Sequence, residues 1–358
     1  MAKGSANGGQ SAGKEKRTEI SSLGEFGLID RLTGGIVLQN PSTLKGVGDD
    51  AAVMDYGDKL AVVSTDLLVE GIHFDLMYTP LMHLGYKAVV VNLSDIYAMN
   101  ARPTQITVSM ALSNRFSVEA TEELYAGIRA ACDRYQVDLV GGDTTSSNKG
   151  LILSVTALGL GERDKITYRH TARKGDLLCL TGDVGAAYLG LQLLEREKQI
   201  YLSDPGVQPD LEEQNYLIGR QLKPEARADM VDAFAKNNLV PTAMIDVSDG
   251  VASEIFHLCK QSGLGAIVEE SGVPIHPDAQ LMAIQFKLDP ITCALSGGED
   301  YELLFTIDPK DVDKVRFLPD IYIMGEMVDA SEGVKLHTKG GNIHEITAQG
   351  WQHFNPNQ

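Results

Sequence analysis

The apolar positions of the chain fall into runs of two periods. Leu23, Phe26, Leu28 and Ile29 begin a helical spacing, which places the start of the folded part near Ser22. An apolar run at 60–63 predicts a strand ending in Ser64-Thr65-Asp66. Residues 81–99 predict a long helix, closed by the breaker Asn100-Ala101-Arg102-Pro103. Ile106, Val108 and Met110 alternate as a half-buried strand does. A helix over 118–135 follows, then a short strand at 138–140 that feeds Gly141-Gly142-Asp143, and another strand at 151–160. A polar stretch at 161–175, carrying Arg163, Lys165, Arg169, Arg173 and Lys174, marks a boundary. Beyond it a strand at 177–180 enters Thr181-Gly182-Asp183-Val184-Gly185 and a helix. Met244-Ile245 leads into Asp246-Val247-Ser248-Asp249-Gly250 and a helix to about residue 262. Ser296-Gly297-Gly298-Glu299-Asp300 precedes a strand at 301–307. The pattern is α+β in two domains, 22–162 and 163–354, after a tail at 1–21 that is expected to be disordered.

Length and composition agree with two ordinary domains: 358 residues, 43% hydrophobic and 22% charged. Charge narrows the function. Thirty-one Lys and Arg against 49 Asp and Glu leave a formal charge of −18, which repels nucleic acid. Free nucleotides are repelled as well, unless divalent cations stand between carboxylates and phosphates. Cys132, Cys179, Cys259 and Cys293 lack CxxC spacing, as reduced cytoplasmic thiols do, and fit neither a zinc site nor a disulfide framework. No apolar run reaches the ~18 residues of a membrane span. Gly8, Gly13 and Lys14 have P-loop spacing, but Glu15 stands where Ser or Thr is required and no strand precedes them.

The acids recur in glycine-rich turns and at strand ends. Asp49 and Asp50 follow Gly46-Val47-Gly48, Asp66 follows Ser64-Thr65, and Asp143 follows Gly141-Gly142. Asp246 and Asp249 flank Ser248, and Glu299 and Asp300 follow Gly297-Gly298. Any one such turn is explained by turn-making and helix capping. Five in one acidic chain point to hard cations such as Mg²⁺, because gathered carboxylates repel one another without them. Asn92 and Asp95 share a face of the predicted 81–99 helix, among apolar neighbours. Asp95 there is either a metal ligand or the partner of Lys87 or Arg102. His73 is a substrate contact or an ordinary loop histidine. Trp351 packs the C-terminal tail or stacks on a planar cationic ligand. No nucleophile-elbow sequence is present, so covalent catalysis is not expected.

These motifs identify a family. Gly46-Val47-Gly48-Asp49-Asp50-Ala51-Ala52, Ser64-Thr65-Asp66 with Gly71-Ile72-His73-Phe74, and Tyr86-Lys87-Ala88 through Asn92-Leu93-Ser94-Asp95 closely resemble the thiamine-monophosphate kinases. So do Gly141-Gly142-Asp143-Thr144-Thr145, Ile245-Asp246-Val247-Ser248-Asp249-Gly250 and Leu295-Ser296-Gly297-Gly298-Glu299-Asp300-Tyr301-Glu302-Leu303. The resemblance covers residues 24–354 in order. Selenophosphate synthetase, of the same superfamily, needs an early reactive cysteine, and the first here is Cys132. The full Ser-Gly-Gly-Glu-Asp-Tyr-Glu-Leu run and Gly350-Trp351 favour the thiamine enzymes over the purine enzymes of the superfamily.

The resemblance implies a two-domain fold like that of aminoimidazole ribonucleotide synthetase, with N-terminal domains closing a shared β-barrel across a homodimer. It implies ATP and thiamine monophosphate as ligands, several Mg²⁺ ions, and no nucleic-acid or membrane partner. Carried over by position, Asp50, Thr65, Asp66, Asp95, Asp143 and Asp246 look like Mg²⁺ ligands, with Ser64 and Asp249 assisting. Gly142, Arg169, Ser248 and Tyr125 look like nucleotide contacts. His73, Glu299 and Trp351 look like contacts to thiamine monophosphate. The expected reaction is direct phosphoryl transfer without a general base. Two other classes compete: an ATP-dependent ligase that acts on a purine-pathway amide, and a non-catalytic nucleotide sensor. The intact set of acids speaks against the sensor.

Overall fold

Two mixed sheets and the helices packed on them make up the fold. The computed structural model describes residues 24–33, 38–209, 211 and 213–346. Helix α1 (Gly24–Thr33) belongs to a separate unit, and its bounds agree with the helical spacing that opens at residue 23.

The first sheet comprises β1 (Thr43–Lys45), β2 (Ala52–Asp55), β3 (Lys59–Val69), β4 (Arg102–Leu112), β5 (Asp138–Ser146) and β6 (Ile152–Glu162). Their order is β1-β2-β3-β6-β4-β5, antiparallel except for β4 and β5, which run parallel and are joined through a helix. Helices α2 (Leu81–Ala98) and α3 (Val118–Tyr135) cover one face. Ser117 caps α3, its Oγ accepting from the Ala120 amide at 3.2 Å.

Two strands run further than their apolar patterns indicate. β3 continues through Ser64, Thr65 and Asp66 to Val69, because β6 supplies a partner the whole way, with Asp66 opposite Val155. β5 continues through Gly141-Gly142-Asp143 to Ser146, paired to β4. Hydrogen bonding to a neighbour, not side-chain polarity, sets where these strands stop.

The second sheet comprises β7 (Leu177–Thr181), β8 (Ala243–Asp246), β9 (Leu264–Glu269), β10 (Leu303–Ile307), β11 (Ile321–Asp329), β12 (Val334–His337) and β13 (Ile343–Glu345), in the order β13-β12-β9-β11-β7-β10-β8. Around it lie α4 (Ala186–Ser203), α5 (Asn215–Leu222), α6 (Ala228–Lys236), α7 (Val251–Ser262), α8 (Pro277–Gln285), α9 (Pro290–Ser296) and the short α10 (Val312–Val315). No helix among the described residues is long and apolar enough to cross a membrane.

The position 162/163 lies between the two sheets, and the first core crosses it. Buried residues of β3, α2, α3, β4 and β6 are continuous with Phe234 of α6 and Phe305 of β10, whose rings stand 5.1 Å apart. A second core lies under α7, built from Leu178, Ile245, Ile255 and Leu304 among others. Helix α2 joins the halves, packing on α3, β3, β6, β8 and α5. Its crossing with α3 is close. A Cβ at Gly85 would lie 2.0 Å from the Leu124 carbonyl oxygen, and one at Gly127 would lie 1.9 Å from that of Met82. Gly127→Ala must therefore spread the helices and destabilise the fold by at least about 2 kcal/mol, read as a lower urea midpoint. An unchanged midpoint would show that the crossing relaxes freely.

Candidate active site

Three carboxylates meet where β8 and the turn before β2 approach α2. One oxygen from each of Asp50, Asp95 and Asp246 lies within 4.8 Å of the others. Asp50 is 7% and Asp246 3% exposed. Each acid is held by its neighbours. The Ser64 hydroxyl of β3 donates to Asp95 Oδ2. Ser94, one residue earlier on α2, donates to Asp246 Oδ2 at 2.6 Å. Asn92 Oδ1 accepts from the Asp66 amide at 2.9 Å, while its Nδ2 donates to the Ala88 carbonyl. Asn92 and Asp95 thus share a face, as their spacing predicts, and both reach β3. Asp95 pairs with neither Lys87 nor Arg102, which go to Glu299 and Asp232.

The electrostatics are those of crowded anions. Burial and the Asp50 charge push Asp66 up to about 6. Burial and Asp50 push Asp246 up to about 8, against the Ser94 hydrogen bond and Arg169. Burial, with Asp66, Asp246 and Asp50 nearby, raises Asp95 well above its ordinary value. One cation enters the group. Arg169 Nε donates to Asp50 Oδ2 at 2.9 Å and its Nη2 to Oδ1. Burial works against the guanidinium charge, and Asp50 more than offsets it. The Arg169 amide donates to Asp49 Oδ1 at 2.7 Å, and Lys45 Nζ stands 3.0 Å from Oδ2. The adjacent acids thus divide: Asp49 braces the 169 segment and Asp50 enters the cluster.

A second group forms beside the first. Glu299 follows Gly298, which has φ of +80° and where a Cβ would lie only 2.7 Å from the Ser248 carbonyl oxygen. Glu299 and Tyr301 themselves have φ of 60° and 52°, strained for residues with side chains. Their amides bond to the Ser248 and Val247 carbonyls at 2.7 and 2.9 Å, which fixes the conformation. Glu299 Oε2 accepts from Lys87 Nζ at 2.7 Å and from Gln221 Nε2 at 2.8 Å. Burial would raise Glu299, but Lys87, Gln221 and His73 together bring it below its ordinary value. His73 Nδ1 accepts from the Val69 amide at 3.0 Å, so a neutral ring carries its proton on Nε2. The turn bearing His73 is tied to α4 by Tyr78 to Glu195 and Asp75 to Lys198, each at 2.7 Å.

The remaining expected residues are spread around these two groups. Thr65 Oγ1 donates to the Val155 carbonyl, and Ser248 and Asp249 precede α7, with the Asp249 amide on Glu254 Oε1 at 2.9 Å. Gly142 and Asp143 are exposed on edge strand β5, outside the three-carboxylate cluster. A Cβ at Gly142 would strike the Val108 carbonyl oxygen, which by itself accounts for glycine there. Tyr125 packs half-buried against the first core. Trp351 lies outside the described residues. Sequence reasoning missed Ser94, Glu254, Gln221 and the pairing of Lys87. Asp300 and Glu302 turn away from the site: Asp300 accepts from the Gly185 amide at the start of α4, and Glu302 binds Arg220 and Arg227.

Residues 48–161 match the model for "AIR synthase related protein, N-terminal domain". The chain is 33% identical over 337 residues to thiamine-monophosphate kinase of Aquifex aeolicus, covering 94% of this chain and 99% of that protein. It belongs to the thiamine-monophosphate kinase family. The homologue of Buchnera aphidicola subsp. Schizaphis graminum is 36% identical over 92% of this chain and 98% of its own. A solved structure described as "AaThiL complexed with AMPPCP and TMP" matches with TM-score 0.80 and 31% identity, over 95% of this chain and all of that one. The mixed α/β architecture of the two sheets is the fold of these relatives.

Family membership leaves the acid cluster to be tested on its own chemistry. Asp66 and Asp246 hold protons more tightly folded than unfolded, so the stability they support is full below about pH 4, the unfolded value. It is lost as pH rises through about 6 for Asp66 and about 8 for Asp246. The melting temperature of EDTA-treated protein should fall between pH 5 and 8.5, and Asp246→Asn should flatten that slope. An equal slope in the variant would remove Asp246 as its source.

Proposed function

We propose that the chain phosphorylates thiamine monophosphate with ATP in the cytoplasm, giving thiamine diphosphate and ADP. The observation that carries this reading is the buried Asp50–Asp95–Asp246 cluster beside Glu299, in a chain related over nearly its whole length to named thiamine-monophosphate kinases. All donors at the cluster are oxygens, two of the three acids are buried, and one guanidinium is too little charge for them, which suits Mg²⁺. Asp50, Asp66, Asp95 and Asp246 would hold the ions, with Ser64, Thr65 and Asp249 assisting and Asp143 joining from β5. When bound, Mg²⁺ would supply electrostatic stabilisation of the phosphoryl oxygens.

The chain's own residues bind and orient. Arg169 has Nε and Nη2 on Asp50, leaving Nη1 for a phosphate oxygen. Ser248, Gly142 and Tyr125 complete the nucleotide side. His73, Glu299 and Trp351 hold thiamine monophosphate, whose thiazolium is cationic. The acceptor phosphate has a second pKa of about 6 and is already largely a dianion at neutral pH, so no general base is required.

A homodimer fits the first sheet. Edge strand β5 is almost wholly exposed, and Leu44, Leu67, Val140 and Leu160 are each more than 40% exposed. A second copy could pair or cover such a surface and close a barrel. The domains would then divide as 22–162, bearing the dimer contact, and 163–354.

Incubation with Mg-ATP and thiamine monophosphate should yield ADP and thiamine diphosphate in equal amounts with no free phosphate. Free phosphate in step with ADP would favour the ligase reading. Asp66→Asn should lower kcat by roughly 100-fold or more with the fold intact. Near-normal turnover at saturating Mg²⁺ would refute its ligand role.

A further inference from the structure

We propose that Lys87 and Gln221 are positioning residues that hold Glu299 as an oriented anion at the thiamine end of the site. The inference rests on the reading of Glu299 as a substrate contact. Lys87 is 3% exposed, on a helix whose neighbouring positions Val89, Val90, Val91 and Leu93 are apolar and buried. An ammonium is costly in such a place unless it is paired and hydrogen-bonded. Its partners are two: Glu299 Oε2 at 2.7 Å and the Gln221 carbonyl at 3.0 Å. The same Gln221 sends its side-chain Nε2 to Glu299 Oε2 at 2.8 Å. Three elements, α2, α5 and the turn after α9, are thereby locked around one carboxylate oxygen.

The other oxygen is treated differently. Both strong donors converge on Oε2, while Oε1 has the Tyr301 hydroxyl at 3.4 Å. That leaves Oε1 to face a ligand donor or a cationic ring. Lys87 does not serve the metal cluster. It lies eight residues before Asp95 on α2, about 12 Å along the axis, and Asp95 is bound by Ser64 instead.

A residue that only positions a substrate contact acts on binding of that substrate. With full-length protein and thiamine monophosphate varied at saturating Mg-ATP, Lys87→Met should raise KM for thiamine monophosphate about tenfold or more. It should leave kcat within about threefold and KM for ATP unchanged. The double variant Lys87→Met/Glu299→Gln should be no worse than Glu299→Gln alone, since the two act as a unit. If Glu299→Gln raises KM while Lys87→Met, folded, does not, the positioning role is overturned and the substrate reading stands. Multiplying effects in the double variant would overturn it too. If Glu299→Gln leaves KM unaltered, Glu299 itself is not a contact and both fall. Should Lys87→Met fail to fold, Gln221→Leu decides: a KM raised about threefold supports the clamp, and an unchanged KM rejects it.

Discussion

Everything around the site follows from the difficulty of keeping several carboxylates together away from water. Three acids with oxygens within 4.8 Å repel by about 3 kcal/mol per pair at an effective dielectric near 20. Arg169 offsets one of them. The rest must be protonated or must share an added cation, and the upward displacement of Asp66, Asp95 and Asp246 expresses that choice. A site that repels itself cannot be built on mobile loops. Here Asp95 sits on a buried helix, Asp246 at the end of strand β8 paired with β10, and Asp50, in the turn before β2, is held by Arg169, while the neighbouring Asp66 lies inside a paired strand.

The same demand explains the polar residues inside α2. Asn92 and Ser94 are fully or nearly fully buried, which would be unfavourable in a helix serving only to fill a core. Each is hydrogen-bonded to the strand that brings an acid: Asn92 to the backbone of Asp66, Ser94 to the side chain of Asp246. Tertiary packing at Gly85 and Gly127 presses α2 against α3 and fixes its height. That packing therefore sets where the carboxylates stand.

Much of the fold was legible because its elements advertise themselves locally. The 81–99 helix and the 118–135 helix match α2 and α3 to within a residue, the first through its apolar density and the Asn100–Pro103 breaker. Strand lengths were less legible. Ser64-Thr65-Asp66 and Gly141-Gly142-Asp143 read as turns, yet both continue strands, since pairing partners 90 residues away or on a parallel neighbour are invisible to local pattern. Acids could be found by their turns and their family motifs. Which acid faces the site could not: Asp49 and Asp50 are adjacent with opposite uses, and in the 299–302 run Glu299 meets Lys87 while Asp300 and Glu302 bind elements of the second half.

The Lys87–Glu299 pair shows why such assignments need three dimensions. The two residues are 212 positions apart, and neither helical spacing nor charge pattern links them. On sequence alone Lys87 was one of two cations that could have paired with Asp95, two turns along the same helix, if Asp95 were not a metal ligand. In the fold those two turns separate a cation devoted to one carboxylate from an acid of the three-carboxylate cluster. One rigid helix therefore carries both an acid of the carboxylate cluster and the lysine that holds the glutamate, about 12 Å apart along its axis. A phosphoryl group can move only between ligands held at set distances, so the rigidity of α2 contributes to positioning as directly as any residue that touches a substrate.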